Sequence, residues 1–177
     1  YVHIGRGVDA VALALQAKAT LARLGENLQG RTNDLNLSYA LLGLGRHADA
    51  LELMRETLGY AQHTAELSLL RHATEEQLAE LWLSLNRPDN ALDELARLPE
   101  GQWLAQRRGI RLALRVRAWL QSGRPSQAEA AAKQALACCG PHLPVTLQVR
   151  VQLNAAVAMS PEVGWPLAEQ ALADAQR

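Results

Sequence analysis

Three short stretches of this 177-residue chain share one grammar: Gly45-Arg46-His47-Ala48-Asp49-Ala50-Leu51, Asn86-Arg87-Pro88-Asp89-Asn90-Ala91-Leu92 and Gly123-Arg124-Pro125-Ser126-Gln127-Ala128-Glu129. Each lies between an apolar run that ends at the Gly or Asn and a second that begins around the Ala. Gly and Asn tolerate the left-handed backbone that ends a helix, and Pro is at home in a helix's first turn. The pattern therefore predicts helix–turn–helix hairpins, and its recurrence predicts an array of them. Turn markers at Gly7, Gly45, Asn86, Gly123 and Met159 are separated by 38, 41, 37 and 36 residues. Two helices of about 14 residues plus two short turns fill such a unit.

Composition agrees. Leu and Ala dominate the apolar residues and Phe is absent. β-Branched residues are too scattered to build a sheet, whereas Leu, Ala, Arg, Glu and Gln favour helix. An all-α fold is expected. Lys and Arg total 18 against 18 Asp and Glu, so the excess positive charge that drives direct nucleic-acid binding is missing. No apolar run reaches the roughly 20 residues needed to span a bilayer, which argues against a membrane partner. The chain opens at Tyr1 with no basic–apolar–small leader pattern, and reads as a fragment of a longer protein. Its two cysteines, Cys138 and Cys139, are adjacent and close no loop. They read as small apolar residues at a helix end, in a reducing, cytoplasmic setting.

In chain order, helices are expected over Val8–Leu24, from a cap at Asn33-Asp34 to about Leu44, and over Ala48–Ala61. The segment from Gly25 to Asp34 reads as turn material. Thr64 can cap a fourth helix, whose stripe is Leu67, Leu70, Leu78, Leu81, Trp82 and Leu85. Further helices are expected from Pro88 to Leu98, Gln102 to Gln121, Pro125 to Cys139, Val145 to Ala158 and from Ser160-Pro161 onward. Gly5-x-Gly7-x-x-Ala10 matches a dinucleotide-binding fingerprint in form. It lacks the following strand that would carry a ribose-binding acid, and Gly7 fits better as a hairpin turn after a truncated helix, Tyr1–Arg6.

These hairpins resemble the tetratricopeptide (TPR) repeat, with its W-x2-L-G-x2-Y…A-x3-F pattern. The best match is Leu78, Ala79 and Trp82 on a first helix with Ala91 and Leu95 on the second. The unit before offers Leu37, Ser38, Leu41, Ala50 and Met54. The unit after offers Arg115, Val116, Trp119, Ala128 and Ala132. The units exceed the 34-residue consensus and keep no Leu-Gly pair in register. Their Ala-, Leu- and Arg-rich texture is similar to repeats beside bacterial regulators of the LuxR/MalT-like and AfsR-like kinds. The resemblance implies one TPR-like domain over residues 1–177, a right-handed α-solenoid of stacked antiparallel hairpins. It also implies that the first helix of each hairpin lines a groove: Leu35, Tyr39 and Leu42, then Glu76, Glu80 and Leu83, then Ala113, Arg117 and Leu120.

Chemistry has few places to sit. His3, His47, His63, His72 and His142 are dispersed, and His72 with Glu76 makes only two of the ligands a metal needs. No nucleophile elbow or phosphate loop is present, so no catalytic residue, cofactor or metal site is expected. Glu75, Glu76 and Glu80 read as a solvated acidic patch. Arg107, Arg111 and Arg115 recur every four residues, a ridge that is either wet, paired with acids such as Glu94 and Glu100, or an anion-reading strip, with Arg108 and Arg117 nearby. Trp82 and Trp119 read as core. The expected function is a non-catalytic interaction module that binds a protein, a peptide or other domains of its parent chain, and regulates a bacterial signalling or transcription protein. The alternatives are an effector-sensing domain with a small molecule or peptide in the groove, and a self-assembly element whose terminal hairpins stack between chains.

Overall fold

Gly25, Gly45, Asn86 and Gly123 have φ of 72°, 73°, 54° and 69° in the computed structural model, which describes residues 7–62, 67–98, 105–140 and 144–176. Each of these left-handed residues ends one helix and starts the next. The N–H of Gly45 bonds to the Leu42 carbonyl at 3.0 Å and that of Arg46 to Leu41 at 2.9 Å. The same pair recurs as Asn86 to Leu83 and Arg87 to Trp82, as Gly123 to Leu120 and Arg124 to Trp119, and as Gly25 to Ala22 and Glu26 to Leu21. This is a Schellman motif, which satisfies the carbonyls left over at a helix end. The residue after the turn then accepts the first bond of the next helix: Arg46 from Ala50, Arg87 from Ala91, Arg124 from Ala128 and Glu26 from Gly30. The Ala of the motif is wholly buried in all three hairpins that have one.

The described residues form nine helices and no strand. These are α1 (Gly7–Leu24), α2 (Asn27–Gly43), α3 (His47–Ala61), α4 (Ser68–Ser84), α5 (Pro88–Ala96), α6 (Ala105–Gln121), α7 (Pro125–Ala137), α8 (Val145–Ala158) and α9 (Pro161–Ala175). They divide into two compact units, Tyr1–Leu81 and Trp82–Arg177. The expected helix end at Tyr1–Arg6, the Thr64 cap, the helix start at Gln102, and His3, His63, Glu100 and His142 lie outside the described residues. No helix among the described residues is long and apolar enough to cross a membrane.

Two expectations are corrected in the first unit. Gly7 makes no turn and is the first residue of α1; Gly25 is the turn residue. The polar stretch after it is helical from Asn27, so Asn33 and Asp34 lie inside α2 rather than at its cap. Polar side chains make this possible by tying the stretch to its neighbours. Asn33 Nδ2 donates to the Ala14 carbonyl of α1 at 2.9 Å. Buried Asp34 holds Lys18 of α1 at 2.9 Å and Arg31 at 3.2 Å. Arg31 also reaches Glu56 of α3 at 3.1 Å and lies over the Tyr60 ring. Tertiary pairing thus overrides local turn propensity.

Within the first unit α2 packs against both α1 and α3, and Leu35, Ala61 and Leu70 form a core patch edged by Tyr39, Leu67 and Ala73. Within the second, α6 packs on α5 and α7, α8 on both α6 and α7, and α9 on α8. Two core clusters there are rich in small residues: Ala128, Ala131 and Ala132 with Val116 and Ala155, and Ala135 with Leu112, Ala113 and Val151. Small side chains let helix axes approach closely. A close approach occurs at Gly164 of α9, where an added Cβ would drive into the Ala156 carbonyl of α8.

That contact reverses the usual sign of a helical Gly→Ala change. Gly59→Ala in α3, whose Cβ would meet nothing within 4 Å, is expected to stabilise by about 0.5–1 kcal/mol. Gly164→Ala should destabilise by about 1–3 kcal/mol through overpacking. Asn86→Gly should stabilise slightly and Gly123→Ala should cost about 1–2 kcal/mol, because both positions require positive φ. Urea unfolding of the four variants checks this, and equal effects of Gly59→Ala and Gly164→Ala would refute the close crossing.

Candidate partner-binding surface

The nine expected groove residues occupy one register. They lie ten, six and three residues before the turn residues Gly45, Asn86 and Gly123. The structure treats each register position consistently. Ten before the turn, Leu35, Glu76 and Ala113 are all buried. Six before it, Tyr39, Glu80 and Arg117 are all half-buried. Three before it, Leu42 and Leu120 are half-buried and Leu83 is buried. Leu35, Leu83, Ala113 and Glu76 therefore present almost no surface to a partner. The residues that keep accessible surface are Tyr39 and Leu42 in the first hairpin, Glu80, and Arg117 and Leu120. Ring, carboxylate and guanidinium at one recurring position give that register chemical variety on a shared backbone geometry.

The charged stretches are drawn further inward than their sequence suggests. Glu76 is buried and Glu75 half-buried, so the acidic patch is not a freely solvated face; Arg71 Nε lies 3.9 Å from Glu75 Oε1. Arg71 also sits 3.2 Å from Nε2 of buried His72. A guanidinium has no acceptor, so it donates to Nε2, which places the neutral imidazole's proton on Nδ1. Gln77 Nε2 donates to the Leu35 carbonyl at 3.3 Å, linking α4 to α2. In the arginine ridge, Arg111 is buried and Arg115 donates to the Leu95 carbonyl near the end of α5 at 3.3 Å. A cation there complements the negative end of that helix. Glu94 pairs with Arg97 at 3.1 Å. The ridge is thus largely structural rather than a wet strip. Trp119 is half-buried against the α6–α7 core, and its ring carries the Arg124 guanidinium 5.2 Å from its centroid.

Sequence reasoning missed a second kind of surface. On α8 and α9, Leu153, Val157, Val163, Trp165 and Leu172 are exposed, and on α1 Val8, Leu13, Leu15 and Leu24 are exposed as well. Exposed apolar groups gathered on one element mark contact surfaces more often than scattered ones do. The available signal was that α1 carries Ala and Leu all round, more than packing on one neighbour can cover.

Chemically reactive groups are few. Among the described residues no group of three His, Cys, Asp or Glu is placed to hold a metal ion. Both cysteines are free thiols at the end of α7. Burial, and then the neighbouring Cys138, push the Cys139 thiol above its ordinary value. Its Sγ leans on the Ala135 carbonyl at 3.7 Å. At the start of α9 the Glu162 carboxyl is held below its usual range by its own backbone N–H and then by the Ser160 hydroxyl.

Because the thiolate is the reactive form, Cys139 should alkylate several-fold more slowly than a free thiol near pH 8. The rate should climb as pH rises through the elevated value. Mass-spectrometric iodoacetamide kinetics, with Cys138 followed separately, provide the check; a Cys139 rate equal to free glutathione's would contradict the burial.

No family model matches this chain, and no curated protein matches it.

Proposed function

We propose that the chain is a non-catalytic module that binds a protein or peptide, its hairpins stacked as a right-handed TPR-like α-solenoid. The observation that carries the reading is the repeat register. The same Schellman turn, the same buried Ala and the same half-buried position on the preceding helix recur at Gly45, Asn86 and Gly123. A repeating backbone with varied side chains at one accessible position suits recognition of an extended or helical segment. Rigid hairpins reduce the ordering cost on the module's side of the interface. Tyr39 and Arg117 are the residue types that most often carry interface energy. The Ala-, Leu- and Arg-rich repeats support a setting in a bacterial signalling or transcription regulator, in the cytoplasm, with other domains of the parent chain as possible partners.

Two measurements test the proposal. A single closed globule of this length would have a radius of gyration of about 16 Å. Small-angle scattering should give a clearly larger value, and a value at or below that figure removes the solenoid. Peptides selected from a random library should then lose about tenfold or more in affinity on Tyr39→Ala or Arg117→Glu. Lys133→Ala, at an exposed ion pair with Glu129 on α7, should change nothing. Selected peptides indifferent to both Tyr39 and Arg117 would remove the groove assignment.

A further inference from the structure

α1 contains only three charged residues, Asp9, Lys18 and Arg23, yet none of its residues is fully buried. A helix apolar on most sides ordinarily lies inside a core. Its half-buried Ala10, Ala14, Ala17 and Leu21 share one side, and α1 packs on α2. Another side carries Val8, Ala12, Leu15, Ala19 and Ala22, all exposed, with Val8 at 70% and Leu15 at 52%. The steps along this row alternate four and three residues, the spacing of a coiled-coil seam. It runs about 21 Å along the helix.

The charge along one flank of the seam identifies what fits it. Asp9, Gln16 and Arg23 stand at intervals of seven residues, an acid, a neutral amide and a base. In a parallel pair this flank would lie against the other flank of its partner, setting Arg23 against Lys18, base against base. In an antiparallel pair, Asp9 of each copy faces Arg23 of the other and Gln16 faces Gln16. The flank is therefore complementary to itself in one orientation, about a two-fold axis near Gln16. On the other flank Val11 and Lys18 stand at the same interval, an apolar residue and a base, so that flank is not complementary to itself in charge. Ala at three of the five seam positions lets the two axes come close, while Val8 and Leu15 supply the larger apolar contacts.

We infer that two copies of this chain associate through α1, antiparallel about that two-fold axis. The inference stands apart from the proposed peptide groove, because α1 carries none of the groove residues. One seam of this length is at the small end of specific interfaces, so the dimer is weak and concentration-dependent. Its asymmetric flank still sets orientation.

Sedimentation equilibrium on the 177-residue chain, up to about 1 mM, tests this. A monomer–dimer equilibrium is expected. Leu15→Glu should raise its dissociation constant at least tenfold, and circular dichroism of that variant should be unchanged because Leu15 is exposed. Arg23→Asp should raise the constant several-fold. The double exchange Asp9→Arg with Arg23→Asp should bring it back to within about twofold of the parent. With Cys138 and Cys139 replaced by Ala, a mixture of Val8→Cys and Ala22→Cys chains should form the mixed disulfide in preference to either homodimer. A chain monomeric throughout the range, or a dimer insensitive to Leu15→Glu, would overturn the proposal. So would a charge exchange that fails to restore association, or preferential formation of the 8–8 and 22–22 disulfides.

Discussion

The bond from the Arg46 N–H back to the Leu41 carbonyl, repeated from Arg87 to Trp82 and from Arg124 to Trp119, is the interaction on which each hairpin depends. It forms only if the preceding residue takes a positive φ, which Gly accepts freely and Asn at modest cost. Once it forms, the chain reverses in so few residues that the arginine closing one helix also opens the next. The small residue four positions on then has no choice of face. It falls where the two helices meet, and Ala50, Ala91 and Ala128 are accordingly buried. Turn chemistry and packing are consequences of one backbone event.

The two units fill their interiors differently. Where α6, α7 and α8 meet, the second unit buries mostly Ala and Val, which lets helices come close, and Gly164 of α9 meets the Ala156 backbone. Such an interior depends on shape and tolerates little added volume. The first unit buries Asp34, Ser38, Thr57, His72, Thr74, Glu76 and Gln77. Several of these have partners: Ser38 the Leu35 carbonyl, Thr74 the Leu70 carbonyl, and Asp34 both Lys18 and Arg31. Polar interiors of this kind favour one arrangement, because any other leaves the same groups without partners. The Asn33 and Asp34 contacts do this for α2, whose first half would otherwise be a loop.

What is left outside follows from the same packing. Side chains six residues before each turn are half-covered and differ in character, from the Tyr39 ring to the Glu80 carboxylate and the Arg117 guanidinium. A common frame with a variable half-buried position lets side-chain character change there while the turn and the buried Ala stay the same. The apolar rows on α1 and on the α8–α9 hairpin belong to a different category. Exposed apolar side chains of that sort gain by being covered.

The helical class, the hairpin turns at Gly45, Asn86 and Gly123, and the buried alanines were legible in the chain itself. All of these rest on local physics: φ > 0 at Gly or Asn, Pro in a first turn, apolar residues at helical spacing. The helix start at Asn27 was not recognised, because the polar residues after Gly25 imitate a loop and their partners Ala14, Lys18 and Glu56 are distant in sequence. The same reason explains why Leu35, Leu83, Ala113 and Glu76 were expected at a surface and lie buried. Register within a helix fixes which side a residue faces, but only neighbouring helices decide whether that side is covered. Tertiary structure likewise turned Arg111 inward and left the α1 row outside, since burial is a property of what packs against a helix and not of the helix alone.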